Sequence, residues 1–320
     1  MIRNLDNKDI LIMWELSKNS RQPIAKIAKK VKVPKETVNY RIEQLVKLGV
    51  ITKFYAIADS SIFGLSFTET YIKLKGIPKD VEEECIQKLQ KHPYMCWLVT
   101  TSGRFNLLCT FLTKNRLQFY ECYNYIRLLF GDYLKELEFN LPVEGDHFTY
   151  PFFKNFNQSS IKVLTPRIIH ESPKLDGSQI KLLQFLTDNS RMSIRNISIK
   201  LGITEKTARS KIKWLEKNRY IHSYTTLIHP GRVGYFFYVM LIKLKFPDPN
   251  LETYLKNISE IFFLVKGIGF IDLKVEFYTN SEKRIYEIEE ELYQKFNNSV
   301  IQIDILHIKK EHGVRYFVDA

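Results

Sequence analysis

Apolar residues near the N-terminus recur at a spacing that predicts three consecutive helices. The third helix runs from about Lys35 to Leu48 and places Val38, Ile42 and Leu45 on one face, at intervals of three and four residues. An extended segment begins at Ile51. Three helices followed by a β-wing are the elements of a winged helix-turn-helix.

The same pattern returns later in the chain. Leu5 and Asp6 recur as Leu175 and Asp176, and this offset of 170 holds without a gap as far as Lys75 and Lys245. Identical residues at this offset include the pairs Leu16/Leu186, Asn19/Asn189, Ser20/Ser190, Arg21/Arg191, Ile27/Ile197, Ile42/Ile212 and Leu45/Leu215. Further on, residues 103–113 align with 269–279 at an offset of 166. The chain is therefore a tandem repeat of one two-part unit.

Residues suited to capping stand at the ends of the predicted helices. Asp6 and Asp176 occupy positions where an N-cap carboxylate accepts hydrogen bonds from the first helical turn, and Gln179 adds most of a capping box. Between the second and third helices, Gly202 suits a left-handed turn. Lys32 holds that position in the first copy, where the same conformation costs about 1 kcal/mol.

Positive charge is concentrated in the two helical segments. The net charge is +13, and residues 1–60 and 170–230 contribute +6 each. The rest of the chain is almost neutral. Two basic modules on a neutral body are typical of a protein that binds nucleic acid.

The sequence carries no motif for a metal, a nucleotide cofactor or covalent catalysis. The four cysteines are 11, 13 and 13 residues apart without a CxxC pair, and the seven histidines form no HExxH. Gly267-Ile268-Gly269 lacks the third glycine of a dinucleotide fingerprint. No secretory h-region or membrane-spanning run is found. We therefore expect a cytoplasmic protein that is not an enzyme and has no cofactor.

A DNA-reading helix presents its first turns to base edges, while neighbouring cations and hydroxyls hold phosphates. In the first copy the outward candidates are Lys35, Glu36, Thr37, Asn39 and Tyr40, with Arg41 and Lys47 for phosphate. In the second copy they are Glu205, Lys206, Thr207, Arg209 and Ser210, with Lys211 and Lys213 for phosphate. Such residues can also merely solvate a helix, but their repetition in two basic modules favours DNA binding.

Both helical modules resemble the N-terminal domain of the Lrp/AsnC (feast/famine) family of prokaryotic regulators. The resemblance is carried by LDGSQIKLLQFLTDNSRMSIRNISIKLGITEKTARSKIKWLEKNRYIHSYTTLIHPGRVG and by LDNKDILIMWELSKNSRQPIAKIAKKVKVPKETVNYRIEQLVKLGVITKFY. Pro34 stands where the family usually has a serine or threonine cap. The resemblance implies an α+β fold, in which winged helix-turn-helix domains and ferredoxin-like βαββαβ (RAM-type) sensing domains are duplicated in tandem.

The resemblance also implies where the sensing elements lie. In the first copy they are a strand at 70–75, helices at 81–91 and 117–129, and a last strand at 134–141; in the second, a helix at 283–296 and a last strand at 300–308. The family's glycine-x-aromatic-aspartate turn matches loosely at two places, which implies effector-binding roles for Gly103, Asn106, Gly269 and Asp272. Because Asn106 and Ile271 depart from that motif, we do not expect equivalent pockets.

The resemblance divides the chain into five segments. They are a winged helix-turn-helix at 1–62, a sensing domain at 63–145, a linker at 146–173, a second winged helix-turn-helix at 174–232 and a second sensing domain at 233–320. Family members usually carry one copy and dimerise through their sheets. We therefore expect an intrachain pseudo-dimer that leaves further homo-oligomerisation open. Its touching sheet faces are expected to carry Leu107, Phe111, Leu273, Val275 and Phe277.

Together these features predict a sequence-specific regulator of transcription that binds double-stranded DNA, with an amino acid or related metabolite as a candidate effector. Two alternatives stay open. Sirohaem decarboxylases of haem biosynthesis resemble the same architecture, but segments 97–106 and 263–272 contain no histidine and only Arg104. The other alternative is a chromosome-organising protein that binds DNA with little sequence preference.

Overall fold

The computed structural model describes residues 5–153, 156, 160–164 and 175–315. Its contacts divide the chain into two compact units, and each unit takes one part from both copies of the repeat. Unit one combines Met1–Ile62 with Ile168–Gly234, and unit two combines Phe63–Arg167 with Tyr235–Ala320. Like therefore pairs with like: the helical modules share one unit, and the sensing parts share the other.

The elements of the first copy follow the predicted order. They are α1 (Asn7–Lys18), α2 (Ile24–Val31), α3 (Lys35–Lys47), β1 (Ile51–Ala58), β2 (Ser66–Leu74), α4 (Lys79–Lys91), β3 (Met95–Ser102), β4 (Leu107–Thr113), α5 (Arg116–Phe130) and β5 (Leu134–Phe148). A short strand, β6 (Ser160–Leu164), follows them.

The second copy repeats this order. Its elements are α6 (Gly177–Asp188), α7 (Ile194–Leu201), α8 (Glu205–Lys217), β7 (Ile221–Ile228), β8 (Phe236–Leu244), α9 (Pro249–Lys256), β9 (Ile261–Gly269), β10 (Leu273–Thr279), α10 (Glu282–Lys295) and β11 (Val300–Val314). The predicted α+β class, duplicated in tandem, is confirmed. None of the described helices is long and apolar enough to cross a membrane.

The two modules of unit one meet about a pseudo-two-fold axis. The hydroxyls of Ser20 and Ser190, equivalent residues of the repeat, hydrogen bond to each other at 2.6 Å in the interior. Arg21 donates to the carbonyls of Ser190 and Met192, and Arg191 donates to the carbonyl of Ser20. Burial lowers the pKa of both guanidinium groups. The identical Ser-Arg pairs of the sequence thus form part of the contact between modules.

Each wing strand finds its partner in the other module. β1 and β7 pair antiparallel and form a two-stranded ribbon. The backbone N–H of Ser20 donates to Tyr224 in β7, and that of Ser190 donates to Phe54 in β1. The winged helix-turn-helix is therefore completed by exchange, because neither module pairs its wing strand within itself.

The predicted caps and turn conformations are present. Asp6 accepts from the backbone N–H of Lys8 and Asp9, and Asp176 forms a full capping box with Gln179. Lys32 has a φ of 57° and Gly202 a φ of 64° at equivalent positions. The chain therefore tolerates a left-handed lysine where its second copy uses glycine.

The strands of unit two close into a ring. Their order is β2, β4, β3, β11, β8, β10, β9 and β5, and β5 also pairs with β2. All neighbouring pairs are antiparallel, and β6 adds to β5 alone. A closed ring leaves no open edge among these eight strands.

Two strands cross from one copy to the other. In β5, residues up to Asn140 pair with β2 of the first copy, and residues from Asn140 onward pair with β9 of the second. In β11, His307 marks the same change from β8 to β3. The predicted last strands, 134–141 and 300–308, were thus too short. The prediction considered one copy at a time and therefore missed the second half of each strand, which pairs with the other copy.

The helices cover the outer face of the ring, which corrects the prediction of which sheet faces meet. Leu107 and Phe111 pack in a core that includes residues of α4 and α5. Leu273, Val275 and Phe277 pack in a core that includes residues of α9 and α10. The alternate positions of the strands face the other sheet instead, since Lys274 of β10 contacts Glu69 of β2. A one-residue error in register moves a strand's side chains to the opposite face.

The segment expected to be a linker carries regular structure. Residues 146–148 belong to β5, and Tyr150 and Phe153 are buried. Tyr150 stacks on Phe262, with the ring centroids 4.4 Å apart. Residues 154–155, 157–159 and 165–173 of the expected linker lie outside the described residues. The start of this segment is therefore anchored on unit two by aromatic packing.

The crossing strands make Gly103 sterically necessary. It has a φ of +126°, and a Cβ at this position would lie 2.6 Å from the backbone oxygen of Ile305 in β11. We expect Gly103→Ala to lower the free energy of unfolding by about 2–4 kcal/mol, measured by urea denaturation. The control is Gly76→Ala, which shares a positive φ of +64° but has open space around it. Its cost should be about 1 kcal/mol, and an equal loss in both variants would contradict the steric argument.

Candidate nucleic-acid interface

Helices α3 and α8 are held in the same way. Each buries a stripe of three apolar residues in its module: Val38, Ile42 and Leu45 in α3, and Ala208, Ile212 and Leu215 in α8. Thr204 caps α8 by accepting from the backbone N–H of Thr207. Pro34 precedes α3 and provides no side-chain cap. The stripes leave the opposite face of each helix outward.

Most of the predicted DNA-contacting residues are exposed on these outward faces. The exposed ones are Lys35, Glu36, Asn39, Tyr40 and Lys47 in α3, and Glu205, Lys206, Thr207, Arg209, Ser210 and Lys213 in α8. Thr37, Arg41 and Lys211 are half-buried. Over its full length α8 carries a net charge of +3, from five basic and two acidic residues, whereas α3 carries +1, from three and two. The structure therefore presents two unlike surfaces, of which that of α8 is more basic.

Local contacts further distinguish the two helices. The Asn39 amide donates to Glu43 at 2.7 Å, along the exposed face of α3. In α8, Arg209 lies 3.5 Å from Glu205, a separation typical of a weak exposed ion pair. Both contacts join residues four apart on a solvent-facing surface, so they orient the side chains at little energetic cost.

Arg41 and Lys211, predicted to contact phosphate, have partners within their own modules. Arg41 pairs with Asp6 at 2.7 Å and Asp9 at 2.8 Å, and Lys211 pairs with Asp176 at 2.6 Å. Arg41 and Lys211 are equivalent in the repeat, and both therefore bind the N-cap carboxylate of their module's first helix. Their observed contacts tie the third helix to the first.

The cations Arg41 and Lys211 help to lower the pKa values of the two capping carboxylates, Asp6 and Asp176. The hydrogen bond from Lys211 holds the pKa of Asp176 well below its ordinary value. Although partial burial acts the other way, hydrogen bonds from the Asp9 backbone and from Arg41 lower the pKa of Asp6. Hydrogen bonds to Asp6 and Asp9 raise the pKa of Arg41. Both cap carboxylates are therefore ionised at neutral pH.

One feature of unit one was missed at the sequence level. Arg21 and Arg191 line a cleft of about 530 Å³ at the contact between modules, together with Arg209 and Lys213 of α8. Glu216 is the one acidic residue among the residues that line it. The identical Ser-Arg pairs were a signal that these positions have a shared role, but nothing in one copy shows that they meet those of the other.

The residues predicted to bind an effector have structural contacts in unit two. The side-chain oxygen of Asn106 accepts from the backbone N–H of Leu74 at 2.8 Å, and that of Asp272 accepts from Leu244 at 2.8 Å. Gly103 and Gly269 bring the crossing strands into close approach. These equivalent contacts give the turn a structural role in both copies, because they hold neighbouring strands together. Effector binding by the four residues stays a prediction.

The surroundings of that turn differ between the copies. In the first copy, Asn106 lines a groove of about 580 Å³ with Lys79, Gln87, Thr100 and His312, among others. In the second copy, Lys266 takes the position of Thr100 and pairs with Glu252 at 2.6 Å and Glu144 at 3.3 Å. The ion pairs of Lys266 therefore lie across the place in the second copy where the first copy has an open groove. This difference agrees with the expectation of unequal pockets.

Metal-binding and thiol chemistry have no support within the described ranges. No cluster of three or more histidine, cysteine, aspartate or glutamate residues there could hold a metal ion. The four cysteines are buried and form no disulfide with one another. Burial raises the pKa of the Cys122 thiol to about 12, so this thiol is not a nucleophile at neutral pH.

Comparison with known proteins supports the interpretation of the helical modules. A family model described as "Winged helix-turn-helix DNA-binding" matches residues 5–52 and 175–222. An HTH-type transcriptional regulator of Pyrococcus abyssi is 31% identical over 117 residues, which are 37% of this chain and 78% of that protein. The chain belongs to the family of HTH-type transcriptional regulators. The two winged helix-turn-helix modules expected from the same segments are confirmed.

Two further matches cover larger parts of the chain. An HTH-type regulator of Pyrococcus furiosus is 27% identical over 164 residues, which are 50% of this chain and 99% of that protein. Half of this chain thus corresponds to a whole relative. The crystal structure of the sirohaem decarboxylase NirDL aligns with a TM-score of 0.64, over 98% of this chain and 95% of that one, at 13% identity. At this identity the likeness shows a shared fold alone.

The ion pair between the first and third helices of the regulator's second module predicts a dependence on pH. Because the folded-state pKa of Asp176 is depressed, its ionised form stabilises the fold above the ordinary value of 3.8, and this contribution is lost as the pH falls through the folded-state value. Lys211→Met should lower the Tm at pH 7, and the difference from the wild type should shrink below about pH 4. The control, Lys213→Met, removes an exposed lysine of the same helix. Parallel Tm curves for wild type and Lys211→Met would contradict the assignment.

Proposed function

We propose that the protein is a sequence-specific transcription regulator that reads two unlike half-sites of double-stranded DNA with α3 and α8. The observation that carries this proposal is the exposed polar face on both helices, which is basic on α8, held in one unit by the Ser20–Ser190 contact. Among the predicted contact residues, the exposed cations are Lys35 and Lys47 of α3, and Lys206, Arg209 and Lys213 of α8. These positions suit phosphate and guanine contacts.

The affinity for DNA should depend on the outward cations of α8. Lys206→Ala with Arg209→Ala should weaken binding by about 1–3 kcal/mol for each base that the variant no longer reads, and the slope of log affinity against log salt should become shallower. Fluorescence anisotropy with labelled duplexes at several salt concentrations measures both quantities. The control, Lys88→Ala with Arg127→Ala, removes the same charge from exposed positions in unit two.

Two outcomes would count against the proposal, the first in this anisotropy experiment and the second in footprinting with nonspecific competitor DNA. Equal effects of the two double variants would mean that net charge alone drives binding. Undiminished footprints in excess nonspecific competitor are expected of a regulator. A footprint that competitor erases would instead support a chromosome-organising role, in which contacts to the phosphate backbone supply most of the affinity.

The preferred site should be asymmetric. An ordinary homodimer reads a palindrome because its two recognition helices are identical. Here Asn39 of α3 is suited to adenine, whereas Arg209 of α8 is suited to guanine. Selection from random duplexes should recover two unlike half-sites that are one or more helical turns apart. Recovery of a short perfect palindrome protected equally by both modules would refute this expectation.

An effector is proposed for the first sensing copy only. The groove beside Asn106 is open, while ion pairs of Lys266 cross the equivalent place in the second copy. An amino acid or a related metabolite fits the mix of ammonium, carboxylate and amide groups that line the groove. Calorimetric titration with amino acids, repeated with Thr100→Lys, the residue found in the second copy, tests this assignment.

A second candidate function is sirohaem decarboxylation, favoured by the likeness to NirDL over nearly the whole chain. Two observations weaken it. Segments 97–106 and 263–272 have no histidine, and their one arginine, Arg104, is paired with Glu136 at 2.6 Å and Asp304 at 2.9 Å. A Soret band shift when sirohaem is added to the purified protein would support this function, and an unchanged spectrum would exclude tight binding.

A further inference from the structure

A cluster of charged side chains lies inside the ring of unit two, between the two sheets. The ammonium of Lys274, in β10, lies 2.5 Å from Glu69 of β2 and 3.1 Å from Glu276 of its own strand. All three residues are buried, with 3%, 5% and 7% of their surfaces exposed. The Glu69–Lys274 pair joins the first copy to the second.

The cluster is completed by aromatic groups from both copies. The hydroxyl of Tyr71 donates to Glu69 at 2.9 Å. The Lys274 ammonium lies 5.1 Å from the centre of the Trp97 ring and 5.7 Å from that of Phe263, which are equivalent residues of the repeat. Burial disfavours the charged form of Lys274, but the two carboxylates outweigh it and raise its pKa. The ammonium is therefore charged and depends on its partners.

The repeat shows that the cluster is one-sided. The residue equivalent to Glu69 is Val239, at offset 170, and the residues equivalent to Lys274 and Glu276 are Leu108 and Thr110, at offset 166. Val239 and Leu108 are also buried. One half of the pseudo-symmetric interior therefore carries an ion pair, and the other half carries apolar residues at the same two positions.

This asymmetry makes the possible pairings unequal. If two first copies paired, Glu69 would meet a leucine in place of Lys274. If two second copies paired, Lys274 would meet a valine in place of Glu69. In the first case Glu69 is an unpartnered charge in a dry interior, which is strongly unfavourable, whereas a complete buried pair is close to neutral. In the second case Lys274 keeps Glu276 of its own strand but loses the nearer of its two carboxylates. The cluster thus penalises wrong pairings more than it stabilises the correct one.

We infer that Glu69, Lys274 and Glu276 determine which sensing sheets pair, so that a first copy accepts only a second copy. The covalent connection raises the local concentration of the correct partner, but it does not exclude the like sheet of a neighbouring chain. The charge cluster supplies that exclusion, and the partner it selects is the unlike sensing sheet of this same protein. This inference does not depend on DNA binding.

Charge exchange in the full chain tests the inference. Glu69→Lys and Lys274→Glu should each lower the Tm by about 5–15 °C, because each leaves like charges together in the interior. The double variant, with both changes in one chain, should recover most of that loss because its pair is restored. If the double variant loses as much as the sum of the single variants, the pair does not couple the sheets and the inference is wrong.

Co-expression tests the selection of partners directly. A tagged Glu69→Lys chain and a differently tagged Lys274→Glu chain should rescue each other by exchanging sheets, since each supplies the charge that the other lacks. Tandem affinity purification and native mass spectrometry should find mixed dimers at least about tenfold enriched over co-expressed wild-type chains. Mixed dimers no more frequent than in the wild type would overturn the inference, even if both single variants fold poorly.

An apolar variant separates selection from stability. Glu69→Val, Lys274→Leu and Glu276→Thr together make the two copies alike at these positions. The Tm of this triple variant should stay within a few degrees of the wild type, because apolar replacement of a whole buried cluster is often neutral. Mixed dimers of two tagged populations, refolded together, should nevertheless increase. The wild type should refold without forming mixed dimers. If the triple variant also forms none, the inference is contradicted.

Discussion

The architecture is determined by backbone N–H and C=O groups at strand edges, which find hydrogen-bonding partners only in the other copy of the repeat. The wing strand β1, the edge strands β3 and β9, and the outer halves of β5 and β11 all have their hydrogen-bonding partners in the other copy. An unpaired strand edge is unfavourable and invites association. The two copies therefore exchange strands at two separate places, and the rest of each unit is arranged around these pairings. The Ser20–Ser190 contact and the long crossing strands follow from this requirement.

The local features of the helical modules could be predicted from sequence because neighbouring residues determine them. Asp6 and Asp176 cap their helices, Lys32 adopts the left-handed conformation, and the stripes of α3 and α8 are buried as the helical spacing indicates. The outward residues of the recognition helices follow from the same spacing. Their contacts with DNA do not, since exposure permits a contact without requiring one.

The arrangement of unit two could be predicted only in part. Every residue of β4 and of β10 is buried, and β4 has no charged residue that would distinguish its inner face from its helix-covered face. For this reason Leu107 and Val275 were assigned to the wrong face. The charges of Lys274 and Glu276 were the available signal, because buried ionic groups need partners and their partner lies across the sheets. The pairings of Arg41 and Lys211 were missed for a related reason, since they join residues distant in sequence.

The fusion of both copies in one chain has a consequence for the dose of the regulator. A DNA-binding unit assembled from two separate polypeptides dissociates on dilution. The concentration of the assembled unit therefore falls more steeply than the total concentration of the polypeptide. When both halves belong to one polypeptide, their mutual concentration is fixed by the connection, on the order of millimolar for short tethers. Each molecule then carries both winged helix-turn-helix modules. Occupancy of a binding site would scale in proportion to expression, even at a few molecules per cell.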